Sequence, residues 1–281
     1  MRVFFPTLIL LCMVTSCSTS DYINDESPKT LVVEGWIANN EPPIVMLSTI
    51  VGVSTEVRKM SSLDDHVIHW GKVTICDGEK NVVLTGYYDE KYFPPYIYTT
   101  TDMKGKIGQS YTLTAEYEGL HASAITSIPE PVELESVEQE KIEGVERYRL
   151  LKANFVDPTG DNYYCLFDKI GLESQQFTKC DVGSFDDKIF ADGHISYPLF
   201  RAHTYVNQNK ERYYEVGNYV CVRLATMTEQ SYNFWSDYQN SASLSGNFYT
   251  PYTKNLRSNI VGGYGYWCGY GVSDKWIYVE R

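Results

Sequence analysis

The feature that most constrains the fold of this chain is the alternation of apolar and polar residues over short runs, a pattern typical of half-buried β-strands. It is clearest in residues 111–118, where Tyr, Leu, Ala and Tyr alternate with Thr and Glu. Gly119 ends this run, and a second alternating run follows until Pro129 and Pro131 stop it. The two runs predict a β-hairpin with one solvent-exposed face.

Further runs rich in β-branched and aromatic residues predict strands along the whole chain. The predicted strands cover residues 30–37, 44–51, 71–76, 81–87, 96–100, 149–155, 163–170, 213–226 and 276–279. Gly78 provides a tight turn between two of them, and the longest run, 213–226, contains a bend at Gly217 and Asn218. With the hairpin, about seven short strands within the hundred or so residues up to residue 130 favour an immunoglobulin-like or transthyretin-like β-sandwich.

One helix is predicted in the second half of the chain. Thr226, followed by Glu229 three residues later, has the form of a capping box, and Ser231, Trp235 and Tyr238 then fall on one side. The fold class is therefore mainly β, with an N-terminal sandwich followed by a second β-rich domain that carries one helix. The Pro- and Glu-rich run near residue 130 divides the chain into domains at 29–130 and 131–281.

The N-terminus has the pattern of a bacterial lipoprotein signal peptide. Residues 1–16 contain an early Arg2 and an apolar run shorter than the roughly 20 residues that a spanning helix needs. Small residues, Thr15 and Ser16, precede Cys17. We expect cleavage before Cys17 and acylation of that residue, with residues 17–28 as a polar tether. An ordinary secretory signal with an incidental cysteine is the alternative.

The charge balance limits the possible partners. The chain has 24 Lys and Arg against 36 Asp and Glu, which gives a formal net charge of −12. Nucleic acids and anionic membrane surfaces attract clustered basic residues, so neither is an expected partner.

A glycine- and aromatic-rich segment at residues 262–271 is the candidate ligand-binding segment. Glycines let a ligand approach the backbone closely, and aromatic rings offer flat faces for stacking on sugars, peptides or aromatic nutrients. The candidate ligand-binding residues are Tyr264, Tyr266, Trp267 and Tyr270. The alternative is that these rings fill the core of a glycine-bent strand.

Candidate residues for catalysis or metal binding are few. His66 and His69 could ligate a metal, but a polar loop explains them equally well. The acidic turn at residues 186–192 lacks the spacing of an EF-hand, and one Ca²⁺ bound in this loop is left as an alternative. We therefore predict no catalytic residue, metal site or cofactor. Paired acids of a glycosidase remain an alternative, because they need not be close in sequence.

The cysteines give no metal-binding spacing. Five lie beyond Cys17, which leaves at least one that is free or paired between chains, and a bridge between Cys165 and Cys180 would close a short loop. The five are Cys76, Cys165, Cys180, Cys221 and Cys268.

Five segments, taken in order, resemble the lipoprotein family called domain of unknown function 4249. They are residues 31–37, 72–78, 108–114, 185–193 and 258–266. The resemblance implies an outer-membrane lipoprotein of the Bacteroidetes, often encoded beside a TonB-dependent transporter. It implies no activity, substrate or catalytic residue.

Together, these observations predict a non-catalytic lipoprotein, anchored to the bilayer through acylated Cys17, at the outer membrane and on the cell surface. We expect it to be an accessory to a TonB-dependent transporter, binding either the cargo or the transporter. A surface hydrolase of glycans or peptides and a structural adhesin or envelope-assembly subunit are the alternatives. A deep cleft with two carboxylates of perturbed protonation would favour the hydrolase, and an aromatic surface would favour binding.

Overall fold

The computed structural model describes residues 29–49, 66–172, 176–190, 193–202, 211–245 and 256–281. The signal peptide, Cys17 and the tether lie outside the described residues. The prediction of a mainly β chain with several sheets and one helix is confirmed for the described part. The strands are β1 (Leu31–Ala38), β2 (Ile44–Thr49), β3 (Lys72–Cys76), β4 (Asn81–Val83), β5 (Thr85–Tyr88), β6 (Tyr96–Thr99), β7 (Ser110–Tyr117), β8 (Leu120–Ser127), β9 (Ser136–Ile142), β10 (Val145–Val156), β11 (Tyr163–Ile170), β12 (Thr178–Asp186), β13 (His194–Leu199), β14 (Tyr214–Glu215), β15 (Tyr219–Met227) and β16 (Gly263–Tyr278). The α-helix, α1, spans Glu229–Ser245, and a short 3-10 helix spans Asp187–Ile189.

The strands form one large sheet and two small ones. The large sheet has the order β12-β11-β15-β16-β1-β2-β6-β5, and the small sheets have the orders β4-β3-β7-β8 and β13-β10-β14, with β9 also paired to β10. At the centre of the large sheet β1 pairs in parallel with β16, with Leu31 opposite Gly263 and Ala38 opposite Tyr270. The first described strand therefore joins the last one.

Both small sheets cover the same face of the large sheet. Alternate residues of the large-sheet strands point to this face and pack into two cores. The first core lies under β3, β7 and β8 and includes Leu31, Val33, Val73, Leu113 and Trp267. The second core lies under β10, β13 and β14 and includes Leu151, Phe155, Leu166, Val222 and Leu224. These cores form two sandwiches side by side on one shared sheet.

Helix α1 covers part of the opposite face of the large sheet. A third cluster there packs helix residue Phe234 against Cys165, Met227, Tyr266 and Tyr270 from the strands. None of the described helices has the length and apolarity needed to cross a membrane.

The predicted hairpin is confirmed, since β7 and β8 pair from Ser110 with Ser127 to Tyr117 with Leu120. The predicted strand 81–87 is wrong as a single element. It divides at the buried Leu84 into β4 and β5, which belong to different sheets. The run 213–226 is likewise divided, at Gly217 with φ +96°, so the longest strand is β16 rather than this one.

The helix is confirmed, but its predicted cap is wrong by two residues. Thr226 still belongs to β15, where its hydroxyl accepts the N–H groups of Val132 at 3.0 Å and Gly269 at 2.9 Å. Thr228 is the residue whose hydroxyl accepts the N–H of Ser231, at 3.3 Å. The Thr226 hydroxyl is occupied by these two bonds, and the Thr228 hydroxyl caps the helix instead.

The predicted domain boundary at residue 130 falls between β8 and β9. Strands from both sides of it take part in the large sheet, in which β16 contacts β1 on one side and β15 on the other. The ranges 29–130 and 131–281 therefore remain a prediction about folding units, and the described sheet extends across them.

Candidate functional site

A cavity of about 990 Å³ opens on the helix-side face of the large sheet, and we call it the groove. It lies between α1, the loop at residues 90–93 and the segment at residues 176–179. The rings that line it are Trp36, Tyr92, Phe93, Phe167, Phe177, Trp235, Tyr266 and Tyr270. The charged residues that line it are Glu34, Glu41, Glu90, Lys91, Asp168, Lys169, Lys179, Arg201 and Arg223.

Strand alternation places the floor residues of the groove. On β1 the core-facing Leu31 and Val33 alternate with Glu34 and Trp36, which face the groove. Glu34 lies opposite Met46 on one neighbouring strand and opposite Tyr266 on the other. Because the parallel pairing aligns side chains of β1 and β16, the Glu34 carboxyl and the Tyr266 ring share one end of the groove.

The helix wall is held against this floor by rings. The indole N–H of Trp235 donates to the Tyr270 hydroxyl at 2.8 Å, and the Trp235 ring lies 4.8 Å from that of Tyr266. Burial raises the pKa values of Tyr266 and Tyr270, so both phenols are neutral at physiological pH. The rings are therefore held in place by contacts within the protein.

The four predicted ligand-binding residues have three different environments. Tyr266 and Tyr270 line the groove and are 8% and 5% exposed. Trp267 points to the other face, is 0% exposed, and donates its indole N–H to the Tyr111 carbonyl at 3.0 Å. Tyr264 is 40% exposed and is not among the groove residues. The structure brings two of the four together, and Trp267 fills the first core.

Arg223 forms the opposite end of the groove. Its guanidinium donates to both carboxylate oxygens of Glu41 and of Asp274, and lies 3.8 Å from the centre of the Phe177 ring. Burial by itself lowers the pKa of Arg223, but the two carboxylates outweigh it and raise that pKa. This end of the groove is a compensated ion cluster.

Glu34 has no such compensation from the described residues. The side chain is half-buried, and it makes no hydrogen bond or ion pair with another residue in the part of the chain that the structure describes. Burial raises the pKa of its carboxyl. After burial, its negative charge is the next cause that raises the pKa of Tyr238 and of Tyr266. A lone carboxyl thus lies among aromatic rings.

Asp168 is a second carboxyl of perturbed protonation. It is 5% exposed and accepts the Tyr214 hydroxyl at 2.7 Å on the side of the second core. Burial raises its pKa to about 6, while Tyr214 and the charge of Arg201 act in the opposite direction. Among the described residues, the Nε atom of Arg201 has no hydrogen-bond partner.

The other candidate residues are accounted for by local contacts. The His69 ring packs on Tyr96 at 4.4 Å, and the Asp187 carboxylate accepts the N–H of Asn162 at 2.8 Å. Asp192 lies outside the described residues. Within the described ranges, no three His, Cys, Asp or Glu side chains cluster in a way that could hold a metal ion.

All five cysteines beyond Cys17 are free, including Cys165 and Cys180. Cys165 lies 3.5 Å from the Ser184 hydroxyl, and Cys180 lies 4.0 Å from the Tyr214 hydroxyl. Burial raises the pKa values of both thiols.

Sequence reasoning missed Glu34, Trp36 and Arg223 as groove residues. A signal for Glu34 was present, because it is the one charged residue in the apolar run 31–37. Arg223 likewise interrupts the apolar run of β15. A charge inside such a run needs a partner or an opening to solvent.

Comparison with known proteins places the chain in a family. No curated protein matches it. The family described as "Domain of unknown function (DUF4249)" matches residues 19–275, which is nearly the whole chain. The resemblance seen in the five sequence segments is therefore confirmed at the level of the family, and the chain belongs to the DUF4249 family.

Proposed function

We propose that this protein is a non-catalytic binding protein, anchored by acylated Cys17 at the outer membrane, whose groove holds the ligand. The groove is the observation that carries the proposal. Ligand sites are cavities of roughly 300–1,000 Å³ lined by apolar and aromatic side chains with a few polar groups, and the groove matches this description. Its rings provide flat surfaces for stacking, and its two ends differ in their charged groups: an unpaired carboxyl at one end and a paired guanidinium at the other.

The groove is preorganised, which supports binding. Trp235 is fixed by its hydrogen bond to Tyr270 and by its contacts with Phe234 and Tyr266. Trp36 packs against Tyr92 with ring centres 6.2 Å apart. Rigid rings lose little conformational freedom when a ligand binds, so more of the contact energy contributes to affinity.

The positions of the carboxyls favour binding over glycoside hydrolysis. A glycosidase needs two carboxyls about 5–9.5 Å apart. Glu34 pairs with Tyr266 of β16. Asp168 pairs with Val222 of β15, which pairs in turn with Lys275 of β16. Tyr266 and Lys275 are nine residues apart on β16, a distance of roughly 30 Å along the strand. The two groove-lining carboxyls with raised pKa, Glu34 and Asp168, therefore lie too far apart to act on one bond.

The proposed lipid anchor comes from the N-terminal sequence pattern, and the proposed outer-membrane location and partner come from the family resemblance. A diacylated Cys17 gives stable membrane attachment, and a polar tether of about a dozen residues leaves the β body free to meet a neighbouring membrane protein. We propose that this neighbour is a TonB-dependent transporter in the outer membrane. The lipoprotein would then bind the cargo of the transporter, or the transporter itself, at the cell surface.

The anchoring is tested by comparing wild type with Cys17→Ala. We expect the wild type in the membrane fraction with acyl chains on its N-terminal peptide, as measured by mass spectrometry, and the variant unacylated. A detergent pull-down of the wild type should recover a TonB-dependent barrel protein. A wild type that lacks acyl chains, or repeated pull-downs without a barrel, would overturn the corresponding half of the proposal.

The groove is tested by affinity selection from pools of hexapeptides and of oligosaccharides. Trp36→Ala removes a ring from the groove floor, whereas Trp276→Ala removes a ring that is 48% exposed and lies outside the groove. We expect the first variant alone to lose the selected ligands. Equal selection by both variants and the wild type would overturn the assignment of the groove as the binding site.

A further inference from the structure

We propose that the groove selects peptides that carry a lysine or arginine side chain, with the cationic group bound at Glu34. This inference rests on the proposed function, because it names the ligand class of the same groove. It depends on the surroundings of Glu34 and on the pairing of the other charges in the groove.

Glu34 is placed so that a ligand can reach it. It lies on the groove floor between the register partners Met46 and Tyr266, and its side chain is only half-buried. Trp36, two residues along β1, lines the same floor. A carboxylate surrounded by rings resembles the sites that bind organic cations, in which the charge pairs with the carboxylate and the alkyl stem contacts aromatic faces.

Three of the five cations that line the groove are already engaged by other residues. Arg223 is held by Glu41 and Asp274, and Lys179 donates to the Gln239 side chain and lies 5.6 Å from the Trp235 ring. Lys169 lies over the rings of Phe177 and Trp276. None of the described cations forms an ion pair with Glu34, so a cation from the ligand would satisfy a carboxyl that the described protein leaves unpaired.

The rest of the groove fits a peptide. Ile44, Met46 and Val272 add aliphatic surface to the rings, and such surface suits apolar side chains better than it suits sugars. Glu34 pairs with Tyr266 of β16, and Arg223 pairs with Asp274 of the same strand. Tyr266 and Asp274 are eight residues apart, which gives the groove a length of roughly 25 Å. An extended peptide of about seven residues has this length. The net charge of −12 also attracts cationic ligands.

The test uses two pools of hexapeptides, acetylated and amidated at their ends, that differ only at one central position. One pool carries lysine there, and the other carries the uncharged norleucine. Full-length protein in detergent is mixed with both pools, and bound peptides are quantified by mass spectrometry. We expect the wild type to enrich the lysine pool at least about tenfold over the norleucine pool.

The matched variants are Glu34→Gln and Glu79→Gln. Both remove one negative charge from the protein, but Glu79 is exposed in a turn and is not among the groove residues. We expect Glu34→Gln to abolish the lysine preference while it still binds norleucine peptides, and Glu79→Gln to keep the preference. Thermal unfolding of each variant confirms that it is folded.

Each outcome bears on the proposal. If the wild type binds both pools equally, the groove still binds peptides, but the recognition of a cation at Glu34 is overturned. If both variants lose the preference to the same extent, general charge attraction explains it, and the role of Glu34 is overturned. If neither pool binds, the peptide class itself is wrong, and the oligosaccharide selection described above then decides whether the proposed function survives.

Discussion

Replacing Trp267 with Ala should destabilise the protein strongly and should not act primarily on ligand binding. The side chain is fully buried in the first core, and it packs on bare backbone, because a Cβ built on Gly35 would lie 2.9 Å from its Cε3 atom. The Cβ positions of Gly265 and Gly269, on either side of Trp267 along β16, are occupied by backbone atoms of Val33 and Ser127. Backbone held in paired strands moves little, so most of the space that the indole would vacate stays unfilled.

The magnitude follows from these contacts. Truncation of a buried Trp to Ala costs about 3–5 kcal/mol. Loss of the hydrogen bond from the indole to the Tyr111 carbonyl adds about 1 kcal/mol. A total of about 4–6 kcal/mol is a large part of the roughly 5–15 kcal/mol that stabilises a typical native protein. Trp267→Phe keeps most of the ring volume and should cost about half as much.

The assay is urea denaturation followed by circular dichroism, with Trp276→Ala as the matched control. Trp276 lies on the same strand but is 48% exposed, so its loss should cost less than about 1.5 kcal/mol. Peptide selection is repeated with Trp267→Phe, which should retain the preferences of the wild type. If Trp267→Ala is as stable as the control and binds fewer peptides, Trp267 contacts ligand and the packing argument is wrong.

Three further predictions concern protonation, thiols and the helix. Because the pKa of Asp168 is about 6 in the folded protein, raising the pH from about 4 to 6 ionises this residue first in the unfolded chain. The free energy of unfolding of wild type relative to Asp168→Asn should therefore fall by about 2 kcal/mol over that range. Parallel stability curves for the two proteins would contradict this. Alkylation of the native protein at pH 8, followed by mass spectrometry, should show modification of Cys76 but not of the four buried cysteines, which should react only in denaturant. These four are Cys165, Cys180, Cys221 and Cys268. Rapid labelling of Cys165 in the native state would refute its burial. Thr228→Ala should cost about 1 kcal/mol by removing the helix cap, measured by thermal unfolding against Thr85→Ala on an exposed strand, and an equal effect of the two changes would argue against the cap.

The local sequence pattern was sufficient to predict those elements that form between residues close in sequence. The hairpin of β7 and β8 is encoded by alternation and by Gly119, whose φ of +82° suits a tight turn. The break at Leu84 was missed because residues 81–87 look like one strand, and only the packing of two sheets requires them to separate. The cap at Thr228 was missed because Thr226, followed by Glu229, has the form of a capping box, although its hydroxyl accepts the N–H groups of Val132 and Gly269 instead.

The groove was only partly predictable because its residues come from distant parts of the chain. The aromatic segment at 262–271 was identified, yet sequence alone does not say which rings face which side of β16. The register with β1 decides this, since it aligns Tyr266 with Glu34 and Trp267 with Gly35. Such a long-range parallel pairing leaves no local signal in the sequence.

The parallel contact between β1 and β16 also determines when the protein can finish folding. The central strand pair of the large sheet joins Leu31 to Gly263, which lies 232 residues later in the chain, so it cannot form until both segments are present. Contacts of such long sequence separation slow folding, because a large loop must close first. A chain that folds from its N-terminus can pair β1 with β2 early, but the centre of its largest sheet stays open until β16 is available.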